Sequence, residues 1–186
     1  MSFINRNVKI AVQGFKGSYS EEAAEKMLGG GFEIVSSFSF GEGFGHILEG
    51  RADYGVFPIQ NKIIGNIERV ILLLMETNLK IYDRLKLEIK HALIGTMDAQ
   101  VQDVKFVYSQ REAFLQCKKF FLRNPNLKMI ESPDTALSVR EVITKGSTKN
   151  AAVASKRAAE IYGGRVLCEN IADDKENWTL FCLVGR

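Results

Sequence analysis

The sequence predicts an α/β protein built from two α/β lobes with a central cleft. Three observations predict this fold class. Short apolar segments of strand length alternate with amphipathic helical segments, which is typical of right-handed strand–helix–strand units. A long extended segment at residues 79–94 interrupts this alternation, which then resumes. With 186 residues, 46% of them hydrophobic, the chain suits one large domain or two small ones.

Glycines and capping residues mark out the first lobe. Ser20 is expected to cap the first helix, because Glu21 and Glu22 follow it in the first turn. The three glycines at residues 29–31 would end that helix. Strands are predicted at residues 8–13, 32–37 and 54–59, and further helices at 40–49 and 67–76. This order favours a mostly parallel sheet.

The second lobe follows the extended segment. Leu85, Leu87 and Ile89 alternate with charged residues there, which predicts one long strand that links the lobes. Strands are then predicted at residues 105–108, 128–131 and 151–154, helices at 111–123, 134–144 and 155–162, and a last strand at 179–184. The last strand is expected to return to the first lobe. We therefore predict one lobe from residues 1–84 with 168–186, and another from residues 85–167.

Composition excludes several classes of protein. No apolar run approaches the roughly 20 residues that cross a bilayer, and the first residues lack the apolar core of a signal peptide. A cytoplasmic protein without membrane contact is expected. The net charge of +3, from 25 basic and 22 acidic residues, is too small and too evenly spread for nucleic-acid binding, although a small anionic ligand would suit it.

The cysteines and histidines predict neither a disulfide nor a metal site. The three cysteines, Cys117, Cys168 and Cys182, are far apart and show no Cys-x-x-Cys spacing, which favours buried thiols in a reducing compartment. His46 and His91 are the only histidines. We therefore expect no bound metal.

The end of the strand at residues 54–59 is the most informative segment. Polar Gln60, Asn61 and Lys62 follow its apolar run, and a helix starts soon after. Ligands of α/β sheets bind beyond the carboxyl ends of the strands. These three side chains, two amides and a cation, are therefore candidate binding residues.

A second candidate is the turn Gly14-Phe-Lys-Gly-Ser18 between the first strand and the first helix. Its glycines would let backbone N–H groups approach an anion, with Lys16 and Ser18 beside it. The spacing fits neither a Walker A loop nor a dinucleotide fingerprint. A plain turn and an anion-binding turn both stay open.

Three further residues have a functional and a structural interpretation, and a fourth, Thr179, is expected at the cleft. Thr135 and Ser155 stand at or near helix starts, where they cap a helix, a role worth about 1 kcal/mol, or hold a carboxylate. His91 is a core histidine or an acid–base group. Thr179 follows a polar run at the entrance of the last strand and is expected to face the cleft.

Taken together, these segments resemble the catalytic domain of prephenate dehydratase over nearly the whole chain. The family's Gly-Pro-x-Gly-Thr-Phe-Ser is similar to residues 14–20, and its Pro-Ile-Glu-Asn-Ser-x-x-Gly-Ser to residues 58–66. Its Ile-x-His-x-Leu, Tyr-Ser-His-x-Gln-x-x-x-Gln-Cys and Asn-x-Thr-Arg-Phe are similar to residues 89–93, 108–117 and 177–181. Shorter matches occur at residues 134–136, 151–155, 162–163 and 170–173.

The resemblance implies two lobes arranged as in a periplasmic binding protein, which close on prephenate, a small dianion. In the family, prephenate loses its ring carboxylate and its 4-hydroxyl to give phenylpyruvate, with no cofactor. The resemblance also implies a homodimer or homotetramer. A regulatory ACT domain usually follows the catalytic part, and we expect none here because the sequence ends at Arg186.

Some family residues are kept and others are replaced. Asn61, Gly65, Gln116, Thr135 and Thr179 match the motifs, and Gln116 is thereby implied as a binding residue. The family Glu, Ser, His, Gln and Arg are replaced by Gln60, Lys62, Gln110, Glu112 and Leu180. The family Glu and Arg were lost together, we hypothesise, because one partner left alone would be an unpaired buried charge costing roughly 3–5 kcal/mol.

These replacements bear on the reaction. Expelling the 4-hydroxyl needs a proton donor or strong hydrogen bonding to the departing oxygen, an effect worth about 10²–10⁴ in rate, and neither Gln60 nor Gln110 supplies a proton. Decarboxylation requires no proton donor to a departing hydroxyl. Only one ring carbon has to be reprotonated, and Thr179, His91 or Glu112 would relay that proton. The sequence-based hypothesis is therefore a prephenate decarboxylase that leaves a non-aromatic dihydro-4-hydroxyphenylpyruvate, like small dehydratase-like enzymes of bacilysin and aeruginosin biosynthesis.

Two alternatives stay open. The first is a divergent dehydratase of phenylalanine biosynthesis, in which Thr179 and Asn61 suffice to assist departure of the hydroxyl. The second is a domain that binds a carboxylate metabolite without turnover, since a shared fold does not fix function.

Overall fold

The computed structural model describes residues 8–186, which form two compact units. Within that range the first unit comprises the chain up to Phe15, Tyr19–Leu87 and Trp178–Arg186, and the second comprises Lys16–Ser18 and Glu88–Asn177. Each unit has its own sheet with helices, so the prediction of two α/β units is confirmed. Residues 1–7 of the predicted first lobe lie outside the described residues.

In chain order the elements are β1 (Lys9–Gln13), α1 (Tyr19–Leu28), β2 (Glu33–Ser37), α2 (Phe40–Leu48), β3 (Tyr54–Asn61), β4 (Gly65–Asn66), α3 (Glu68–Glu76), β5 (Lys80–Glu88), β6 (Ala92–Gly95), β7 (Phe106–Ser109), α4 (Arg111–Gln116), α5 (Lys118–Arg123), β8 (Lys128–Glu131), α6 (Thr135–Lys145), β9 (Asn150–Ala154), α7 (Lys156–Tyr162), β10 (Arg165–Cys168) and β11 (Trp178–Gly185). A short 3₁₀ turn, Val101–Asp103, precedes β7.

The sheet of the first unit has the order β2-β1-β3-β11-β5, and β4 pairs with β3. Strands β2, β1 and β3 are parallel, whereas β11 is antiparallel to β3. The last strand thus returns to the first sheet as expected, and it makes the sheet mixed instead of mostly parallel. The buried core here combines β1, β3 and β11 with α2 and α3, through Ala11, Phe44, Ile47, Ala52, Phe57, Val70, Leu73, Leu79, Cys182 and Val184.

The sheet of the second unit has the order β10-β6-β9-β7-β8. Strands β9, β7 and β8 are parallel, and β6 runs antiparallel to both β9 and β10. Alternate residues of β6 and β9 point to opposite faces, so Leu93 and Val153 belong to one buried cluster while Ile94 and Ala152 belong to another. The sheet is therefore covered with apolar side chains on both faces.

Three element predictions were wrong in detail. Helix α1 begins at Tyr19, so Ser20 lies inside its first turn and does not cap it. The predicted strand 79–94 is two strands, separated where the Ile89 N–H leaves the first sheet and donates to the Asn177 carbonyl. The predicted helix 111–123 breaks at Cys117, because the carboxylate of Asp173 accepts from the Lys119 N–H and starts a new helix there.

The boundaries between the two units lie after Leu87 and after Asn177. The sequence predicted them after residues 84 and 167. Strand β10 pairs with β6 of the second sheet. The segment after it is tied to the same unit, since the Ile171 N–H donates to the His91 carbonyl and the Asp173 N–H to the Gln116 carbonyl. These bonds account for the later boundary.

The helices of the described chain are short. The longest, α6, has 11 residues, whereas a span of a bilayer needs about 20. No helix among residues 8–186 is therefore able to cross a membrane.

Candidate functional site

The first group of candidate residues lies where β3 ends. Asn61 is the last residue of β3 and pairs with Gly65 of β4, so residues 62–64 form the tip of a hairpin. Gly65 has a φ of +81°, a left-handed conformation that glycine adopts without steric cost. The Asn61 Oδ1 accepts hydrogen bonds from the Ile63 N–H at 2.9 Å and the Ile64 N–H at 3.2 Å. The Asn61 side chain therefore folds the tip of the hairpin.

Asn61 also binds the neighbouring strand. Its Nδ2 donates to the Trp178 carbonyl at 2.9 Å and to Thr179 Oγ1 at 3.0 Å. The two donors and the acceptor oxygen of this buried amide are all engaged within the protein. Asn61 is thus suited to positioning Thr179, and less suited to the direct ligand contact that the sequence predicted.

Thr179 lies directly opposite Asn61 in the β3–β11 ladder and is only 6% exposed. Its oxygen accepts from the Asn61 amide, so the hydroxyl proton is directed elsewhere and is available for donation. If the hydroxyl loses that proton, the amide N–H stabilises the charge left on the oxygen. The Asn61 amide therefore fixes the Thr179 oxygen in one position.

Gln60 and Leu180 form the next pair in the ladder, directly opposite each other. Opposite residues of an antiparallel pair lie on the same face, with Cβ atoms about 5 Å apart. The register then shifts by one residue. Phe181 pairs with Pro58, so Ile59 has no opposite residue in β11. A bulge of this kind bends a strand and re-aims its side chains, as often happens beside functional sites. Gln60 is exposed and Leu180 half-buried.

Lys62 occupies the hairpin tip with its side chain exposed. Its backbone N–H donates to the Trp178 carbonyl at 2.9 Å, the same oxygen that Asn61 binds. The hairpin thereby places a cation beside the start of β11. The segment 60–62 is a strand end as predicted, and its link to Thr179 is the feature that joins two separate sequence candidates.

A second group surrounds His91 in the second unit. His91 Nε2 lies 3.0 Å from Gln116 Oε1, and Asn177 Nδ2 donates to the same oxygen at 2.7 Å. Because an amide oxygen only accepts, the neutral histidine carries its proton on Nε2 and donates it to Gln116. All three side chains are buried. Gln116, predicted as a binding residue, is thus a shared acceptor inside the unit.

Burial lowers the pKa of His91 to about 4, and the hydrogen bond to Gln116 offsets only part of that effect. Near neutral pH the ring is therefore uncharged, with its Nε2 proton committed to Gln116. This geometry favours the structural interpretation of His91. Asn177, which completes the group, was not singled out from the sequence, although it lies within the motif at residues 177–181.

Glu112 does not join either group. It lies exposed in the first turn of α4, where a negative charge favours the helix N-terminus. Gln110 occupies the N-cap position of α4 without a side-chain capping bond, and its Nε2 donates to the Pro133 carbonyl at 2.7 Å. None of the described contacts supports the predicted proton relay through Glu112.

The glycine turn is held by α7. The Tyr162 hydroxyl donates to the Lys16 carbonyl at 2.7 Å, and the Ser155 hydroxyl donates to the Gly17 carbonyl at 3.3 Å. Ser155 Oγ also accepts from the Ala158 N–H and is the N-cap of α7. The capping role predicted for Ser155 is confirmed. The Lys16 side chain is exposed and Ser18 is buried, and their binding of a substrate stays a prediction.

Thr135 is the first residue of α6 and is buried, but the cap of that helix is its neighbour. The Asp134 carboxylate accepts from the Leu137 N–H at 2.7 Å. Capping is therefore done by Asp134, and a substrate contact of Thr135 stays a prediction.

The pKa values of the three thiols are raised, which disfavours the reactive thiolate form. Burial raises the pKa of Cys182 to about 12 and raises the pKa of Cys117 further, with a smaller contribution from Asp173. Burial also raises the pKa of half-buried Cys168. The described residues contain no cluster of His, Cys, Asp and Glu side chains able to hold a metal ion.

Comparison with known proteins agrees with the motifs. The sequence model of the prephenate dehydratase family matches residues 10–186. A bifunctional chorismate mutase/prephenate dehydratase of Buchnera aphidicola subsp. Schizaphis graminum is 34% identical over 176 residues, covering 93% of this chain and 46% of that protein. Arogenate dehydratase/prephenate dehydratase 1, chloroplastic, of Arabidopsis thaliana is 36% identical over 179 residues, covering 96% of this chain and 45% of that protein. The chain spans about half the length of these curated relatives.

A solved structure has the same fold. The crystal structure of prephenate dehydratase from Arthrobacter aurescens, in complex with L-Phe, aligns with a TM-score of 0.84 and 22% identity, covering 96% of this chain and 60% of that one. At this identity the likeness concerns the fold alone. The family match, by contrast, covers nearly the whole sequence with its motifs in order. The chain belongs to the prephenate dehydratase family.

Proposed function

We propose that this protein converts prephenate to phenylpyruvate, as a prephenate dehydratase. The observation that carries the proposal is the hydrogen bond of 3.0 Å from Asn61 Nδ2 to Thr179 Oγ1. It holds a buried hydroxyl with its proton free for donation, which is what departure of the 4-hydroxyl requires. The names of the relatives in the family point the same way.

The chemistry assigned to Thr179 is proton donation. The bond from the ring to the carboxylate breaks, CO₂ leaves, and the electron pair moves through the ring to expel the 4-hydroxyl. That oxygen takes the Thr179 proton and departs as water. The Asn61 N–H stabilises the threonine oxygen until solvent reprotonates it, a type of assistance worth about 10²–10⁴ in rate. No other co-reactant is needed.

Decarboxylation alone is the second candidate, and a specific observation favours it. Gln60 stands directly opposite Leu180, at the positions where the family motifs have Glu and Arg. The register places the two positions face to face, as the hypothesis of a joint loss requires. Because Gln60 is exposed, a single unpaired charge there would cost less than in a buried pair. Without the carboxyl group, departure of the hydroxyl loses a potential proton source, and the product would be a dihydro-4-hydroxyphenylpyruvate of specialised metabolism.

Product analysis separates the candidates. Purified protein is incubated with prephenate near neutral pH, beside an enzyme-free control, and followed by ultraviolet absorbance and mass spectrometry. We expect aromatic phenylpyruvate with release of CO₂ and water. A non-aromatic product that keeps the hydroxyl would select the decarboxylase. Saturable binding without consumption would leave only a carboxylate-binding module.

We further propose a cytoplasmic homodimer or homotetramer. The three cysteines are free thiols, as suits a reducing compartment. The assembly is supported only by the family resemblance. Sedimentation of the purified protein at micromolar concentration tests it, and a monomer across that range would rule it out.

A further inference from the structure

Asn177 stands where the chain enters the last strand. The two residues before it, Lys175 and Glu176, are exposed, whereas Asn177 is fully buried and β11 begins at the next residue. Thr179 is only the second residue of that strand. Because strand ends open more easily than strand centres, the position of Thr179 depends on what holds the chain in front of it.

The backbone in front of Thr179 is held on both sides, since β3 and β5 flank β11. After β5, the Ile89 N–H donates to the Asn177 carbonyl at 2.9 Å, and after β3 the Lys62 N–H donates to the Trp178 carbonyl at 2.9 Å. Successive carbonyls that bond to opposite sides are typical of an extended chain. The side chains of Asn177 and Thr179 therefore project from the same face, with their Cα atoms about 7 Å apart.

The Asn177 side chain is anchored as well. Its Nδ2 donates to Gln116 Oε1 at 2.7 Å, and His91 Nε2 lies 3.0 Å from the same oxygen. These three side chains are no more than 6% exposed, so water does not compete for the hydrogen bonds between them. Asn177 is therefore fixed both by its side chain and by its carbonyl.

We propose that Asn177 is a positioning residue for the reaction, which holds the start of β11 so that the Thr179 hydroxyl stays where it donates its proton. The inference rests on the proposed function for the role of Thr179. Asn61 holds the Thr179 oxygen from the neighbouring strand, and Asn177 holds the backbone that carries it. Proton transfer is sensitive to position, since a displacement of about 1 Å costs up to about 10²-fold in rate.

Steady-state kinetics with prephenate tests this assignment. Asn177→Ala removes the side-chain anchor, and we expect kcat to fall about 10–100-fold with KM nearly unchanged, because Asn177 acts on Thr179 and not on the substrate. Asn177→Ser, which shortens the side chain but keeps a hydroxyl donor, should have a kcat between those of alanine and the parent. Asn124→Ala is the matched control. The Asn124 Nδ2 donates to the Phe120 carbonyl at 2.8 Å, and its loss should change neither constant.

A double variant separates positioning from a general loss of structure. If Asn177 acts through Thr179, its removal has nothing left to disturb once the hydroxyl is gone. Asn177→Ala should therefore lower kcat by less than about 2-fold in Thr179→Val, against about 10–100-fold in the parent. Equal factors in the two backgrounds would overturn the inference, and so would an unchanged kcat in Asn177→Ala or an equal loss in Asn124→Ala.

An NMR measurement keeps the test independent of turnover. Threonine is labelled with ¹³C at its methyl group, and the Thr179 signal is identified by its absence in Thr179→Val. We expect the methyl order parameter of Thr179 to fall in Asn177→Ala and to stay unchanged in Asn124→Ala. An unchanged order parameter in Asn177→Ala would overturn the inference. An absence of product with the parent protein would instead overturn the proposed function, whereas the methyl signal would still report whether Asn177 holds Thr179.

Discussion

Thr179 and Asn61 are the residues on which the proposed function depends. The sequence predicted the Thr179 hydroxyl at a strand entrance and Asn61 at a strand exit. It did not predict that the Asn61 amide binds the Thr179 oxygen, because the two residues lie 118 positions apart. The same limit applies to Gln116 and Asn177, whose bond depends on the fold of a 61-residue interval.

Removing the Thr179 hydroxyl tests proton donation. Thr179→Val keeps the shape of the side chain, and we expect kcat to fall by about 10²–10⁴, the usual contribution of general acid catalysis. Thr179→Ser, which keeps the hydroxyl, should retain most of the activity. Stopped assays of phenylpyruvate formation measure both. A valine variant with full kcat would remove Thr179 from the mechanism.

Stability should depend on the protonation of His91. Its folded pKa of about 4 lies below the unfolded value of 6.5, so the unfolded state binds more protons between these values. The free energy of unfolding should therefore be fully maintained above pH 6.5 and fall as the pH drops toward 4, by a few kcal/mol at most.

Urea unfolding at pH 7, 5.5 and 4 measures this effect as the difference between the parent and His91→Gln. His46→Gln, which changes the only other histidine, is the control. The same loss of stability in His91→Gln as in the parent would contradict the assignment.

At the scale of elements, alternation and glycines predicted most strands and helices. The break in the predicted strand 79–94 and the break in the predicted helix 111–123 were missed, because long-range hydrogen bonds cause them. Asp173 starts α5 in the middle of a continuous helical pattern, and Asn177 binds the backbone between β5 and β6. The bulge at Ile59 was also not predictable, since register depends on the partner strand.

The β3–β11 pairing predicts coupling between Gln60 and Leu180. Gln60→Glu and Leu180→Arg together should form a cross-strand ion pair, with a coupling energy of about 0.2–1 kcal/mol in a double-mutant cycle. The double variant should also raise the share of phenylpyruvate in the product if the parent releases any dihydro-4-hydroxyphenylpyruvate. Additive single effects with an unchanged product ratio would refute the paired loss.

The glycine turn that α7 holds predicts that a side chain at position 17 lowers the stability of the protein. The φ of Gly17 is +88°, and an added Cβ would lie 3.3 Å from Ala158 Cα and 3.2 Å from Ile161 Cδ1. Gly17→Ala should lower the free energy of unfolding by about 1–3 kcal/mol. Gly29→Ala is the control for conformation alone, since its φ is +75° with no atom within 4 Å. Equal thermal unfolding of the two variants would show that the contact with α7 contributes nothing.

For the whole molecule, the order of elements and the motifs predicted the two α/β units and the family. The exact division of the chain was harder to predict, because the segment after β10 contains no apolar pattern and is tied down by Ile171 and Asp173 through backbone bonds. The proposed reaction depends on a few side chains at one end of the first sheet. Which reaction the protein catalyses therefore has to be determined from the products that it forms.

The fate of the 4-hydroxyl oxygen tests the central claim most directly. Prephenate labelled with ¹⁸O at that hydroxyl is incubated with the protein near neutral pH, and label is measured in water and in the six-membered product, with an enzyme-free control subtracted. The proposed dehydratase should release the label as water and form unlabelled phenylpyruvate. Label retained in a decarboxylated product would contradict it.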